Sequence, residues 1–286
     1  MSSSLRELRD ADAEAVAALF VEAFGDARAL DAEEIRSWLG NEDLKPENLR
    51  VLEQDGRVVG YGDVWPEEDN VQLDVAAPGH WEPFLDWAEE TAGARRTRLY
   101  VPEGHELARI AEERGYRLWR SSYTMEVDLP VAGPDLPAGI ELRAYRDADA
   151  EPVRAALNEA FADDPFWHGV SPSNFREFYV KSRGFEPGLW LLAWDDEELA
   201  GVVLAYSVRV GDPDLGWIGT LAVRPGWRRR GLGEALLRAA FAALHDRGFL
   251  RAGLGVDTEN VTGALRLYER ADMRPVRRYD NWELRS

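Results

Sequence analysis

The chain carries one stretch of its own sequence twice. Residues 8–27, LRDADAEAVAALFVEAFGDA, and residues 145–164, YRDADAEPVRAALNEAFADD, match through Arg9/Arg146, Asp10/Asp147, Val16/Val153 and Phe24/Phe161 at a constant offset of 137. The ends of the halves correspond as well, with Ile110, Glu112 and Arg117 opposite Leu267, Glu269 and Arg274. A period this long signals a duplicated domain, because solenoid units run only ~20–50 residues. A length of 286 residues fits two domains of ordinary size. Between the copies lies DLPVAGPDLPAG, residues 128–139, whose three prolines and two glycines disfavour helix and central strand alike. The expected division is therefore 1–130, a linker at 131–139, and 140–286.

Both copies must fold alike, and the pattern of each predicts an α/β architecture. Val16, Leu19, Phe20 and Ala23 recur at helical spacing, as do Val153, Ala156, Leu157 and Ala160. Next in each half comes a strand pair split by a charged turn, LRVLEQDGRVVGYGDV and LWLLAWDDEELAGVVLAYSV, the pattern of a hairpin. A strand (VQLDV; WIGTLAV), a helix, a strand (RTRLYV; AGLGV), a helix and a final strand complete each half. The expected fold is a mixed, mostly antiparallel sheet in each copy, flanked by helices.

Composition narrows the function classes. The chain has no cysteine, which removes disulfides, thiolate nucleophiles and zinc knuckles. The N-terminus MSSSLRELRD lacks the apolar run of a signal peptide, and no window nears the ~18 apolar residues of a membrane span, so a cytoplasmic location is expected. A formal net charge of -19 argues against nucleic acid as partner; it would attract a cationic small molecule, and it equally fits a solvated acidic surface.

Against that acidic background stands LAVRPGWRRRGLGEALL, residues 221–237, with Arg224, Arg228, Arg229 and Arg230 beside Gly231 and Gly233. The preceding WIGTLAV reads as a strand and the following EALLRAAFAALHDRG as a helix, so the glycines sit at a helix N-terminus. Such an end exposes unpaired N–H groups and roughly +0.5 of a charge, a natural anion site. Glycine lets the backbone approach the ligand, and arginine supplies donors matched to phosphate oxygens. A pyrophosphate is the expected anion. The spacing differs from the phosphate loop of nucleotide hydrolases, and a dinucleotide fingerprint would need a third glycine and an acidic residue after the next strand.

This stretch, together with LGVDTENVTGALRLYERADMRPV, resembles the acetyl-CoA-binding signature of the GNAT acyltransferase superfamily. The degenerate first copy makes the whole similar to its tandem two-domain type, that of mycothiol synthase and related proteins. The resemblance implies that Leu221, Ala222 and Val223 hold the pantetheine arm by their backbone. It implies further that Arg228, Arg229, Arg230, Gly231, Leu232, Gly233 and Glu234 wrap the pyrophosphate, that Asn260 touches the pantetheine, and that Tyr268 lies near the thioester sulfur as catalytic acid. Asp272 stands where the superfamily usually has glycine, and Asp tolerates the left-handed conformation that such a cap needs.

The first copy reads APGHWEPFLDWA where the second has its arginine-glycine loop, and Ala111 replaces Tyr268, so this half is expected to bind no CoA. The activity implied is acetyl transfer from acetyl-CoA to a primary amine of a small molecule by direct attack. The other class left open is a CoA-responsive binding module without turnover, because the strand Trp217–Val223 lacks the glutamate that acts as base in mycothiol synthase. Asp257, Glu259, Asp163, Asp164 and His168 are the remaining base candidates. The four histidines, His80, His105, His168 and His245, lie far apart, so no metal is expected. A monomer is compatible with two fused copies that supply one another's sheet contacts.

Overall fold

The computed structural model describes residues 3–39, 44–164, 167, 169–208, 211–258 and 263–285. In the first repeat the elements are β1 (Ser3–Glu7), α1 (Ala13–Phe24), α2 (Ala32–Leu39), β2 (Leu49–Gln54), β3 (Arg57–Pro66), β4 (Asn70–Ala76), α3 (Glu82–Ala92), β5 (Arg96–Pro102), α4 (Glu106–Glu113) and β6 (Arg117–Asp128). The second repeat follows with β7 (Ile140–Ala144), α5 (Ala150–Ala160), α6 (Pro172–Phe175), β8 (Phe185–Asp195), β9 (Glu198–Tyr206), β10 (Leu215–Val223), α7 (Leu232–His245), β11 (Arg251–Asp257), α8 (Ala264–Arg270) and β12 (Arg274–Leu284). The short edge strands β1 and β7 escape the reading of the sequence: β1 has one apolar residue in five, and β7, although it alternates, follows directly on the proline-rich linker.

The repeat holds at the level of single hydrogen bonds. Before α1 the Arg9 amide donates to Asp12 Oδ2 at 2.8 Å, and before α5 the Arg146 amide donates to Asp149 Oδ2 at 2.8 Å. The same RDAD sequence thus builds the same N-terminal cap twice.

Two compact units result, one of residues 1–122 with 277–286 and one of residues 123–276. This division differs from the linker-based one at 131–139, and the reason is a ladder. β12 pairs antiparallel with β5, from Tyr279 opposite Pro102 to Leu284 opposite Thr97, so the last strand of the second repeat completes the first unit's sheet. Arg98 binds Glu283 there at 3.0 Å, and Ser121 Oγ donates to Asp280 Oδ1 at 2.7 Å. Reciprocally, the later part of β6 lies beside β11 in the second unit.

In the first unit the sheet runs β1-β2-β3-β4-β5-β12, and its core joins Val16, Phe20 and Phe24 of α1 to Phe84, Leu85 and Ala88 of α3. One feature of this sheet is electrostatically costly. Asp63 on β3 and Asp74 on β4 stand directly opposite one another. Like charges in that position repel. Tyr61 Oη and Trp65 Nε1 donate to Asp63 at 2.9 and 2.6 Å, and Arg28 Nη2 binds Asp74 at 2.5 Å. Burial, reinforced by Asp74, pushes the Asp63 carboxyl up to about 8. Asp63 therefore holds a proton at neutral pH, and the guanidinium of Arg28 lies against the facing Asp74.

The second unit's sheet runs β6-β11-β10-β9-β8-β7. α7 packs on one face with Leu236, Leu237, Phe241 and Leu244, and α5 covers the other with Val153, Ala156 and Leu157 against Trp190, Leu192 and Val202. Covered on both faces, β9 is buried at seven consecutive positions from Leu199 to Ala205. Among the described residues, no helix is long and apolar enough to cross a membrane.

The Asp63 cluster sets a pH dependence. Between about pH 4 and pH 8 the unfolded state has released the Asp63 proton while the folded state keeps it, so stability must fall as pH rises through that window. Denaturant midpoints at pH 5 and pH 8 should therefore differ more in the wild type than in Asp63→Asn; an equal difference in both would show that Asp63 is ionised.

Candidate active site

The site grows out of an interrupted ladder. β10 and β11 are parallel neighbours, yet their register covers only Leu215–Trp217 against Arg251–Gly253. β10 meanwhile follows β9 to Val223, with a register shift between Ile218 and Thr220 that leaves Gly219 as a bulge. A side chain at 219 would meet the Tyr206 ring, since a Cβ there stands 2.7 Å from Cε2. Beyond Trp217 the two strands part. Gly219 on β10 and Gly255 on β11 are exposed in the middle of the sheet, and nothing lies within 4 Å of a Cβ at Gly255. The second edge of Ile218–Val223, which includes Leu221, Ala222 and Val223, thus faces an opening rather than a ladder. Crevices at the C-terminal ends of parallel strands are where α/β sheets place ligands.

At that end the chain turns through Pro225–Trp227 into α7. Arg229 adopts φ 59 and Gly231 φ 83, two left-handed residues within three positions. Glycine occupies such a conformation freely, whereas an arginine there costs roughly 1–2 kcal/mol. The alternation turns successive N–H groups toward one side, the geometry of an anion-binding nest. Gly231 is the N-cap of α7 and no side chain caps the helix, so the amides of Leu232, Gly233 and Glu234 add to it.

The four arginines of this stretch divide in two. Arg224 reaches Glu159 at 2.6 Å and the Leu199 carbonyl at 3.0 Å. Arg228 donates to the Val223 carbonyl at 3.1 Å and the Ala160 carbonyl at 2.6 Å, and meets Asp163 at 3.5 Å. Arg229 and Arg230, by contrast, are exposed and make no ion pair or hydrogen bond among the described residues. Glu234 in the first turn is taken up by Arg238 and Arg270, each at 3.3 Å. The positive charge at this helix end therefore rests on the backbone, Arg229 and Arg230.

α8 is held against the same turn. A Cβ at Gly233 would stand 3.2 Å from Leu267 Cδ2, so the absence of a side chain at 233 is what lets α8 approach. Tyr268, next to Leu267, is half-buried against the core of the unit, and burial pushes its phenol up to about 12. Its hydroxyl makes no hydrogen bond among the described residues. Asp272, after α8, adopts φ 68, the left-handed cap expected of a residue standing in for glycine.

Of the residues expected from the sequence, Leu221–Val223, Arg229–Glu234 and Tyr268 gather around the split of the sheet and the N-terminus of α7. The side chain of Arg228 turns instead to the end of α5. Asn260, Glu259 and His168 lie outside the described residues. Asp163 and Asp164 are exposed on the turn after α5, and Asp257 is half-buried at the end of β11. Among the described residues no three His, Asp or Glu side chains are grouped to hold a metal. The ties of Arg224 and Arg228 to α5 escape the sequence reading, because no periodicity marks which carbonyl an arginine will reach. A shallow depression of about 370 Å³, lined by Ser207, Val208, Pro213, Arg247, Gly248 and Phe249, lies at the other end of β10 and holds none of these groups.

Comparison with known proteins matches this part of the chain. Residues 153–273 match the acetyltransferase (GNAT) family. A mycothiol acetyltransferase from Beutenbergia cavernae is 32% identical over 260 residues, covering 86% of each chain. The crystal structure of a GCN5-related N-acetyltransferase from Sphaerobacter thermophilus superposes with a TM-score of 0.79 at 29% identity, over 99% of this chain and 95% of that one. A tandem GNAT protein from the clavulanic acid biosynthesis pathway shares the fold, with a TM-score of 0.73 at 17% identity over 99% of this chain and 98% of the other. The chain is an N-acetyltransferase enzyme of the GNAT family, of the tandem type.

Proposed function

We propose that the protein transfers the acetyl group of acetyl-CoA to a primary amine of a small molecule, in the second unit, by direct attack of the amine on the thioester. The observation that carries this reading is the anion-binding turn at the N-terminus of α7, set at the mouth of the split between β10 and β11. The turn offers the pyrophosphate its backbone amides and two uncommitted arginines. The exposed edge of Leu221–Val223 suits the amides of the pantetheine arm, which can extend the interrupted ladder. The mycothiol acetyltransferases among the relatives support an amine as acceptor. A cationic acceptor suits the net charge of -19.

The chemistry follows from these groups. An amine of pKa near 10.4 must shed its proton before attack, at a cost of roughly 4–5 kcal/mol at pH 7. Desolvation in the split, or water leading to a carboxylate such as Asp257, lowers that cost. The nitrogen then adds to the thioester carbonyl, and the adduct collapses with CoA thiolate as leaving group. Tyr268 keeps its proton throughout the neutral range. Complete transfer from a phenol near 12 to an ordinary thiolate near 8.5 runs uphill by roughly 5 kcal/mol. The hydroxyl therefore acts by donating a hydrogen bond to the sulfur as its charge develops, and the proton passes over as the same dry environment raises the basicity of the thiolate.

Calorimetry with acetyl-CoA should give one site per chain. Gly233→Val should weaken binding tenfold or more, because the new side chain meets Leu267 and displaces α8; two equivalent sites, or wild-type affinity in the variant, would refute the assignment. Release of CoA thiol across a panel of amines tests the reaction itself. In that assay Tyr268→Phe should lower kcat by roughly 10²–10⁴ with acetyl-CoA affinity nearly unchanged. The wild-type rate should show no alkaline fall from the phenol below about pH 11. Full turnover in Tyr268→Phe would leave the tyrosine a packing residue.

A further inference from the structure

The first arginine of the loop does not face where an anion ligand should. Arg228 gives Nε to the Val223 carbonyl at the end of β10 and Nη2 to the Ala160 carbonyl at the end of α5. The last carbonyls of a helix have no intrahelical partner, and a cation there also meets the negative end of the helix dipole. Arg224, the residue directly after β10 ends at Val223, makes a second tie one residue earlier on α5, to Glu159 at 2.6 Å. Its guanidinium lies 5.0 Å over the Trp227 ring, whose Nε1 donates to Asp195 at 2.8 Å.

The end of α5 is in turn knotted to the segment after it. Asn158 Oδ1 accepts from the Val170 amide at 2.7 Å and from Trp167 Nε1 at 3.2 Å, and Asn158 Nδ2 donates to the Val170 carbonyl at 3.2 Å. Arg154 donates to the same carbonyl at 3.0 Å, and the rings of Phe161 and Trp167 lie 4.8 Å apart. Asp163, in the turn between, meets Arg228 itself. A single chain of contacts thus runs from the anion-binding turn through Arg228 to the turn that carries Asp163 and Asp164.

We propose that Arg228 is a positioning residue: it pins the segment after α5 to the cofactor loop, so that occupation of the loop orders the segment carrying Asp163, while the anion itself is held by backbone amides, Arg229 and Arg230. This rests on the reading of the turn as the pyrophosphate site. It separates two duties that the run of arginines runs together in the sequence. Charge for the ligand comes from the two exposed guanidinium groups, and shape comes from the two committed ones.

The test uses CoA as the probe and reads two quantities in the full chain: its dissociation constant by calorimetry, and hydrogen exchange of the backbone amides of Phe161–Asp164. In the wild type, CoA should slow that exchange. In Arg228→Ala, CoA should bind within roughly threefold of wild type, the amides should exchange about tenfold faster, and CoA should no longer slow them. Arg230→Gln should do the reverse, weakening CoA without loosening the segment. A tenfold or greater loss of CoA affinity in Arg228→Ala with unchanged exchange would make Arg228 a direct ligand and overturn the proposal, as would wild-type exchange indifferent to CoA. Should the alanine variant not fold, Arg228→Lys keeps the charge but cannot span both carbonyls, and the same comparison applies. If the wild type takes up no CoA, the pyrophosphate reading fails by itself, and faster or equal exchange in the variant still decides whether Arg228 pins the segment.

Discussion

The second unit is organised by a ladder that stops. Three pairs hold β10 to β11, and beyond them the strands separate while β10 stays bound to β9 through Val223. A separation inside a sheet leaves peptide groups without partners, which is costly unless something polar enters. The same divergence brings the end of β10 to the turn before α7, where further N–H groups are unpaired. One break in hydrogen bonding therefore brings together an open strand edge and a helix end with free N–H groups, the two features to which the proposed function assigns an amide-bearing arm and an anion. The bulge at Gly219 is the local device that bends β10 away.

The first unit repeats the break without the helix end that would use it. β4 and β5 pair in parallel from Asn70–Leu73 to Arg96–Leu99 and no further, although β4 continues to Ala76. α3 begins with Glu82 and Pro83 where α7 has Leu232 and Gly233, so its first turn offers a carboxylate in place of free amides. At the break stands Asp74, paired with Arg28 and opposite the protonated Asp63. Arg28 Nη1 is buried there with no hydrogen-bond partner among the described residues. The two copies share a backbone architecture, and where the second has free amides at the start of α7 the first has Glu82 and Pro83, with an acid pair and one arginine on the neighbouring strands and loop.

Much of this was legible in the residues. The offset of 137 exposes the duplication, helical spacing marks the helices, charged turns between apolar runs mark the hairpins, and the arginine-glycine turn marks the helix end. Even the left-handed Asp272 follows from which residues tolerate positive φ. The exchange of final strands did not show. A repeat records the order of strands along the chain, whereas the sheet a strand joins is decided by edges brought together in space, which the residues of β12 do not name. Of the five-residue strands, β1 offers a single apolar residue and so no pattern, while β7 alternates but directly follows a linker whose prolines and glycines set the reading of that stretch.

The arginines show where such reading ends and why. Four guanidinium groups within seven residues look equivalent as charge, and an anion site is the natural inference. In space they are sorted by what lies within reach: Arg224 and Arg228 face the last turn of α5, which offers Glu159 and the carbonyl of Ala160, while Arg229 and Arg230 have no such partner among the described residues. The left-handed backbone at Arg229 takes part in this sorting, because it reverses the chain between Arg228 and Arg230. A glycine there would turn as well but would add no charge. The strain of holding an arginine at φ 59 is thus the cost of keeping a cation at the start of α7 after two of its neighbours have been committed to the scaffold.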